Sequence, residues 1–181
     1  MIHQCQKQHN HYEVLKMFGV LTTKWEKEGG SKIAHHDGRR CYFQMTLDVD
    51  TDEIEYKIVM GTKESTTCKM LISLAHELGH FADFQLNYLP KYKTNYDAIM
   101  AWRNESDLKK EIVAWVNAVS ILKRVGYSDW NSFIQEAIRC LKTYLIGKYE
   151  NRLDDEDIYI LLASRIIELY KKDKAKKKTI A

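Results

Sequence analysis

The spacing of apolar residues constrains the fold of this chain most, because it follows a helical period almost everywhere and a strand period in one place. Over residues 10–28, apolar side chains recur every three or four positions, which predicts an amphipathic helix. The segment 31–40 is polar and is typical of a turn. Over about 42–60, apolar and polar residues alternate on both sides of the polar segment 50–53, which predicts a β-hairpin.

Helix start and stop signals divide the rest of the chain. Ser65, Thr66 or Thr67 can cap a helix over about 68–86, and Pro90 follows the expected end of that helix. Further helices are expected at about 95–103, 105–125, 128–149 and 154–174. The sequence therefore predicts an α+β fold that is predominantly helical, in which a small antiparallel hairpin or sheet packs beside these helices.

The basic residues concentrate at the end of the chain. The tail 171–181 carries six lysines against Asp173, a net charge of +5, so the overall charge of +3 leaves residues 1–170 at −2. With 181 residues, the length of one ordinary domain, we expect a single domain over 1–170 and a lysine-rich tail over 171–181. A lysine run is usually a solvated helix end, and no aromatic residue interrupts this one, which argues against a nucleic-acid partner.

Membrane spans and disulfides are not expected either. The longest apolar stretches, 70–75 and 158–163, are far too short to cross a bilayer, and the N-terminus lacks the apolar core of a secretory signal. Four cysteines are widely separated and form no CxxC pair: Cys5, Cys41, Cys68 and Cys140. This spacing argues against a disulfide framework and a zinc finger, and it favours reduced thiols in a cytoplasmic protein.

The segment HELGH, residues 76–80, carries the chemistry. His76 and His80 are four residues apart, so on a helix they project from one face about one turn apart and can bind one Zn²⁺. Glu77 lies beside them and can take a proton from a zinc-bound water, which is what metal-assisted hydrolysis needs. The alternative is a surface helix whose histidines have this spacing by coincidence. Gly79 costs about 1 kcal/mol in a helix interior relative to alanine, which indicates that another part of the chain approaches it closely.

Zinc needs a third protein ligand, and no histidine follows His80. Glu111 falls within the apolar stripe of the helix at 105–125, where a carboxylate is costly unless it is paired or binds a metal. Glu111 is therefore the predicted third ligand, although it can instead extend to solvent or pair with a basic residue. Asp83, on the same helix face as the histidines, is the second candidate, either as a ligand or as a hydrogen-bond acceptor from a histidine ring.

These residues resemble a known group of enzymes. LISLAHELGHFAD, followed about thirty residues later by EIVAW, is similar to the zincin metallopeptidases of the gluzincin kind, most of all to the compact ImmA/IrrE-like peptidase domains of bacteria and their mobile elements. His76, Glu77 and His80 match the HExxH part, and Glu111 with Ala114 matches an E-x-x-A segment that carries the glutamate ligand. The resemblance covers residues 70–118 and implies that 1–170 is one zincin-like domain. It also implies that the hairpin supplies an edge strand along which a peptide binds.

Two functions follow from these residues. The first is a zinc-dependent metallopeptidase (a hydrolase) that cleaves an intracellular protein or peptide, with Zn²⁺ on His76, His80 and Glu111 and with Glu77 as the base. The second is a non-catalytic zincin-like domain that binds metal or a partner, for example a regulator with a basic tail. A donor for the oxyanion is also expected in the enzyme. The sequence offers several candidates without selecting one: Tyr88, Tyr92, Tyr96, His35 and His36.

Overall fold

The computed structural model describes residues 9–38, 41–63, 66–145, 157–165 and 167–168. Its elements are α1 (His11–Lys27), β1 (Ala34–His36), β2 (Tyr42–Asp48), β3 (Glu53–Gly61), α2 (Thr67–Asn87), a 3₁₀ turn (Leu89–Lys91), α3 (Asn95–Asn104), α4 (Asp107–Arg124) and α5 (Trp130–Leu145). Residues 157–165 and 167–168 are also helical. The predominantly helical α+β prediction is confirmed. The ends predicted for the last two helices at residues 149, 154 and 174 lie outside the described residues, and so does the tail 171–181.

The sheet has three strands in the order β1-β3-β2. Strands β2 and β3 form the predicted antiparallel hairpin, with Phe43 opposite Ile58. Strand β1 pairs in parallel with β3, with Ala34 opposite Val59. The prediction of a turn over the whole of 31–40 is therefore wrong at β1. Three residues are too few to show an alternating pattern, and this strand is defined by its partner rather than by its own composition.

The tip of the hairpin is fixed to α3 through Asp52. This residue has a φ of 55°, in the left-handed region, where aspartate is among the residues best tolerated. Its carboxylate accepts hydrogen bonds from the backbone N–H groups of Asn95 at 3.1 Å and Tyr96 at 3.3 Å. Because those two groups have no partner within α3, Asp52 both caps the helix and holds the hairpin in place.

Helix α2 lies at the centre of the fold. Its N-cap is Thr66, whose hydroxyl accepts a hydrogen bond from Lys69 N–H. Twelve of its 21 residues are buried, including all five of the HELGH segment, so its polar side chains lie inside the protein rather than on a solvated face. The main apolar core packs around it with residues from α1, α4 and α5, and a smaller cluster packs on the side of β2 and α3.

Helix α4 crosses α2 at Gly79. A β-carbon at this position would lie 2.2 Å from the carbonyl oxygen of Ala114, so a side chain would prevent the two helices from approaching this closely. Asn117 strengthens the crossing by donating its Nδ2 hydrogen bond to the Gly79 carbonyl oxygen at 3.1 Å. The expectation of a close approach at Gly79 is confirmed. Glu111, one turn before Ala114, is thereby brought opposite the histidines.

None of the helices in the described part of the chain has the length and apolar composition that a membrane span requires. The three cysteines in that part, Cys41, Cys68 and Cys140, are free thiols. Cys68 lies 3.6 Å from the Tyr127 hydroxyl, and the Cys41 sulfur accepts a weak hydrogen bond from Gly61 N–H at 3.5 Å. They thus take part in ordinary packing, as expected of thiols without a disulfide partner.

Candidate metal centre

Two helices bring three candidate ligands together. His76 and His80 are one turn apart on α2, and their Nε2 atoms both point at the carboxylate of Glu111 on α4. His76 Nε2 lies 3.0 Å from Glu111 Oε2, and His80 Nε2 lies 3.4 Å from Glu111 Oε1. One ligand atom from each of the three residues lies within 4.8 Å of the others, which is close enough to hold a single metal ion.

These distances fit metal ligation as well as direct hydrogen bonding. In a tetrahedral zinc site with bonds of about 2.0–2.1 Å, neighbouring ligand atoms lie roughly 3.3 Å apart. The two nitrogen–oxygen distances of 3.0 and 3.4 Å fall on either side of this value. The His76–Glu111 and His80–Glu111 pairs are therefore already spaced as neighbouring ligands of one ion.

The second nitrogen of each imidazole has no role in hydrogen bonding here. Nδ1 of both His76 and His80 is buried and finds no hydrogen-bond partner among the described residues. Asp83, the second candidate as a ligand or as the acceptor of such a bond, instead accepts a 2.7 Å hydrogen bond from Asn87 and does not belong to the cluster. The imidazoles are oriented by aromatic contacts. Trp115 stacks on His76 with centroids 4.3 Å apart, and Trp102 meets His80 edge-on at 6.2 Å.

His80 and Glu111 shift each other's pKa values in the directions that favour a negative Glu111 and a positive imidazole. Burial by itself raises the pKa of Glu111, but the hydrogen bonds and charges of His76 and His80 outweigh it and hold this pKa well below its usual range. Burial by itself lowers the pKa of His80. The hydrogen bond to Glu111 and the charges of the nearby carboxylates outweigh burial, so this pKa lies above its ordinary value. Glu111 is thus a partly buried anion whose charge is compensated by imidazoles, the environment in which a metal cation can replace protons.

Glu77 lies beside the ligands and against the sheet. Its side chain is almost fully buried, with 5% of the residue exposed, and it accepts a hydrogen bond from the backbone N–H of Phe43 in β2. Burial raises the pKa of Glu77, an effect that the nearby His76 and His80 reduce and Glu111 increases. A carboxyl group whose pKa is shifted towards neutrality can both accept and release a proton, which is the property of a general acid–base group.

Tyr144 is the functional candidate that sequence reasoning missed. Its hydroxyl donates a 3.0 Å hydrogen bond to Glu111 Oε1, although Tyr144 lies on α5, 33 residues further along the chain. Burial raises the pKa of Tyr144, and the charge of Glu111 raises it further, so the phenol stays protonated and remains a donor. Nothing in the sequence distinguishes this residue from the other ten tyrosines, because the contact depends on how α5 packs against α4.

Two of the oxyanion candidates from the sequence, Tyr88 and His36, make hydrogen bonds outside the cluster of His76, His80 and Glu111. Tyr88 hydrogen-bonds with Glu105 and stacks on Phe84, and burial with nearby acids raises its pKa to about 12. The ring of His36 accepts a hydrogen bond from Gly38 N–H. Tyr92 and Tyr96 are exposed side chains before and within the first turn of α3.

The arrangement as a whole can bind a divalent ion and move a proton next to it. Two imidazoles and a carboxylate are a donor set that leaves a metal open to further ligands, and the carboxyl of Glu77 lies beside them. No protein-family model matches this chain, and neither the curated proteins nor the solved structures contain a significant match to it.

Proposed function

We propose that this protein is a zinc-dependent peptidase of the gluzincin kind, similar to the ImmA/IrrE-like domains, in which His76, His80 and Glu111 hold the ion. One observation carries the proposal. The two Nε2 atoms of HELGH converge on a partly buried carboxylate from a different helix, with Glu77 directly beside them. Histidines that had this spacing by coincidence on a surface helix would not be buried. They would also not face a glutamate at the distances that separate the ligands of one metal ion.

The donor set favours zinc over other divalent ions. Two neutral imidazole nitrogens with one carboxylate oxygen suit Zn²⁺, whereas Mg²⁺ and Ca²⁺ prefer all-oxygen sites. Three protein ligands with an open position are typical of catalytic zinc, while structural zinc is closed by four. Bound zinc supplies Lewis acidity, which makes water more acidic and polarises a carbonyl group.

Glu77 performs the proton transfers in this proposal. Its carboxylate accepts the proton of the attacking water and then delivers it to the nitrogen of the leaving amine. Two such steps require a group that is a base at one stage and an acid at the next. Burial raises the pKa of the Glu77 carboxyl, which makes the protonated form easier to reach. The Phe43 N–H bond keeps the side chain from turning away.

The substrate in this proposal is an extended peptide segment. Among the described strands, β2 lies at one edge of the sheet and pairs only with β3. Because the Phe43 N–H points at Glu77, this edge of β2 is the one next to the candidate site. A peptide that adds antiparallel to β2 would therefore pass the carboxyl of Glu77, as in other proteins that bind peptides by adding a strand to a sheet. The free thiols of the described cysteines support a cytoplasmic setting, and hence an intracellular protein substrate.

The test compares wild type with Glu77→Gln, and with Glu55→Gln as an exposed-glutamate control. Zinc content is measured by elemental analysis, and hydrolysis is followed with a quenched fluorescent peptide library. The proposal predicts about one zinc per chain in all three proteins, and cleavage in wild type and Glu55→Gln only.

Two other results contradict the enzyme. Zinc binding with equal, background-level cleavage in wild type and Glu77→Gln would support the non-catalytic metal-binding or interaction domain. Absence of zinc from wild type, together with failure to bind it on titration at neutral pH, would exclude both metal-dependent functions.

A further inference from the structure

Helix α5 contributes a side chain to the candidate metal centre. Leu141 of α5 is buried in the core, and Tyr144, one turn later, is 38% exposed with its hydroxyl 3.0 Å from Glu111 Oε1. The same oxygen lies 3.4 Å from His80 Nε2, while Oε2 lies 3.0 Å from His76 Nε2. The two oxygens of Glu111 therefore have different surroundings, because among the described residues only Oε1 receives a donor from outside the histidine pair.

We propose that Tyr144 is a positioning residue for Glu111. Its hydroxyl holds Oε1 and leaves Oε2 directed at the metal. This inference rests on the proposed function and adds to it a residue outside the HELGH and E-x-x-A segments. The carboxylate would then bind the ion through one oxygen, so that coordination positions remain for water and substrate. Hydrogen-bonded partners of metal ligands commonly tune affinity in this way.

A neutral donor suits this task better than a cation. A lysine or arginine on Glu111 would hold the carboxylate but would also neutralise the charge that attracts the metal. Among the described residues, no lysine or arginine pairs with Glu111. Its neighbours Lys109 and Lys110 pair instead with Glu105 and Asp107. The phenol of Tyr144 restricts the rotation of Glu111 and leaves its negative charge available.

The direct test is Tyr144→Phe, which removes the hydroxyl oxygen and keeps the ring. Zinc affinity is measured by competition with a chromogenic chelator, and Tyr12→Phe, which alters an exposed tyrosine on α1, is the matched control. We expect the affinity of Tyr144→Phe to fall by about 10–100-fold, and that of Tyr12→Phe to equal wild type. The melting temperature of the metal-free protein should fall by at most a few degrees in Tyr144→Phe, which loses one partly exposed hydrogen bond, and should be unchanged in Tyr12→Phe.

A second measurement separates positioning from a general structural effect. In the Glu111→Asp background the carboxylate is one methylene shorter and is withdrawn from the hydroxyl, so adding Tyr144→Phe should weaken zinc binding little further. The absorption spectrum of the Co²⁺-substituted protein should change in Tyr144→Phe and stay as in wild type in Tyr12→Phe. Cleavage of the peptide library at saturating zinc is measured alongside, because it shows whether the hydroxyl also acts on the substrate.

The outcomes that overturn the inference are distinct. Wild-type zinc affinity in Tyr144→Phe would exclude positioning, although the proposed function would stand. Unchanged affinity with a large loss of kcat would mean that the hydroxyl acts on substrate instead. Full additivity in the Glu111→Asp background would show that Tyr144 does not act through Glu111. Failure of wild type to bind zinc would overturn the proposed function and this inference together.

Discussion

Gly79→Ala should destabilise the protein, even though alanine is the better helix former. The new β-carbon would lie 2.2 Å from the Ala114 carbonyl oxygen, whereas ordinary van der Waals contact begins at 3.4 Å, so α4 must move by about 1.2 Å. The helix propensity gained is about 1 kcal/mol, and overpacking a tight contact costs about 1–3 kcal/mol. The Asn117 hydrogen bond to the Gly79 carbonyl is strained by the same movement and adds about 1 kcal/mol. The net expectation is a loss of roughly 1–3 kcal/mol.

Gly19→Ala is the matched control, because Gly19 is also inside a helix, α1, and its β-carbon would meet nothing within 4 Å. It should stabilise the protein by up to about 1 kcal/mol. Urea unfolding of the metal-free proteins measures both changes, and each kcal/mol corresponds to about 2–4 °C in melting temperature at this size. Gly79→Ala should also weaken zinc binding, since Glu111 moves with α4. Equal stabilisation by the two substitutions would refute the steric account of the crossing.

Three further predictions concern the ion, the acid limit of stability and the hairpin. Zinc at 100 times its Kd should stabilise wild type by about 2.7 kcal/mol in thermal unfolding, and His80→Ala should lose this effect. The hydrogen bond from Arg139 holds the pKa of Glu136 below its usual value, so the stability it provides is present at neutral pH and lost as the pH falls below about 5. The melting temperature of Glu136→Gln should therefore fall less than that of wild type between about pH 5 and 3, and an equal fall would contradict this. Asp52→Ala should cost about 1 kcal/mol in urea unfolding, and Asp50→Ala, on the exposed turn, should cost little.

The sequence predicts the parts of the fold and of the candidate site that depend on local patterns. The hairpin follows from alternation, and the helices follow from period and capping, as Thr66 shows at the start of α2. Glu111 could be selected because a carboxylate in an apolar stripe needs a partner, and the structure places it opposite His76 and His80.

What the sequence does not show depends on partners that are distant along the chain. Strand β1 exists because β3 pairs with it, and its three residues carry no pattern of their own. Tyr144 reaches Glu111 only because α5 packs on α4. Asp83 has the spacing of a ligand, yet its carboxylate accepts from Asn87, a local bond that helical spacing alone does not reveal. In each case a tertiary contact decides between residues that look equivalent in sequence.

Measurement of bound zinc shows whether His76, His80 and Glu111 form a metal centre. Wild type, Glu111→Ala and Asp83→Ala are purified in parallel and analysed for zinc by elemental analysis, with circular dichroism to confirm that each is folded. We expect about one zinc per chain in wild type and in Asp83→Ala, and none in Glu111→Ala. Retention of zinc by a folded Glu111→Ala protein, or its loss from Asp83→Ala alone, would contradict the His76–His80–Glu111 centre.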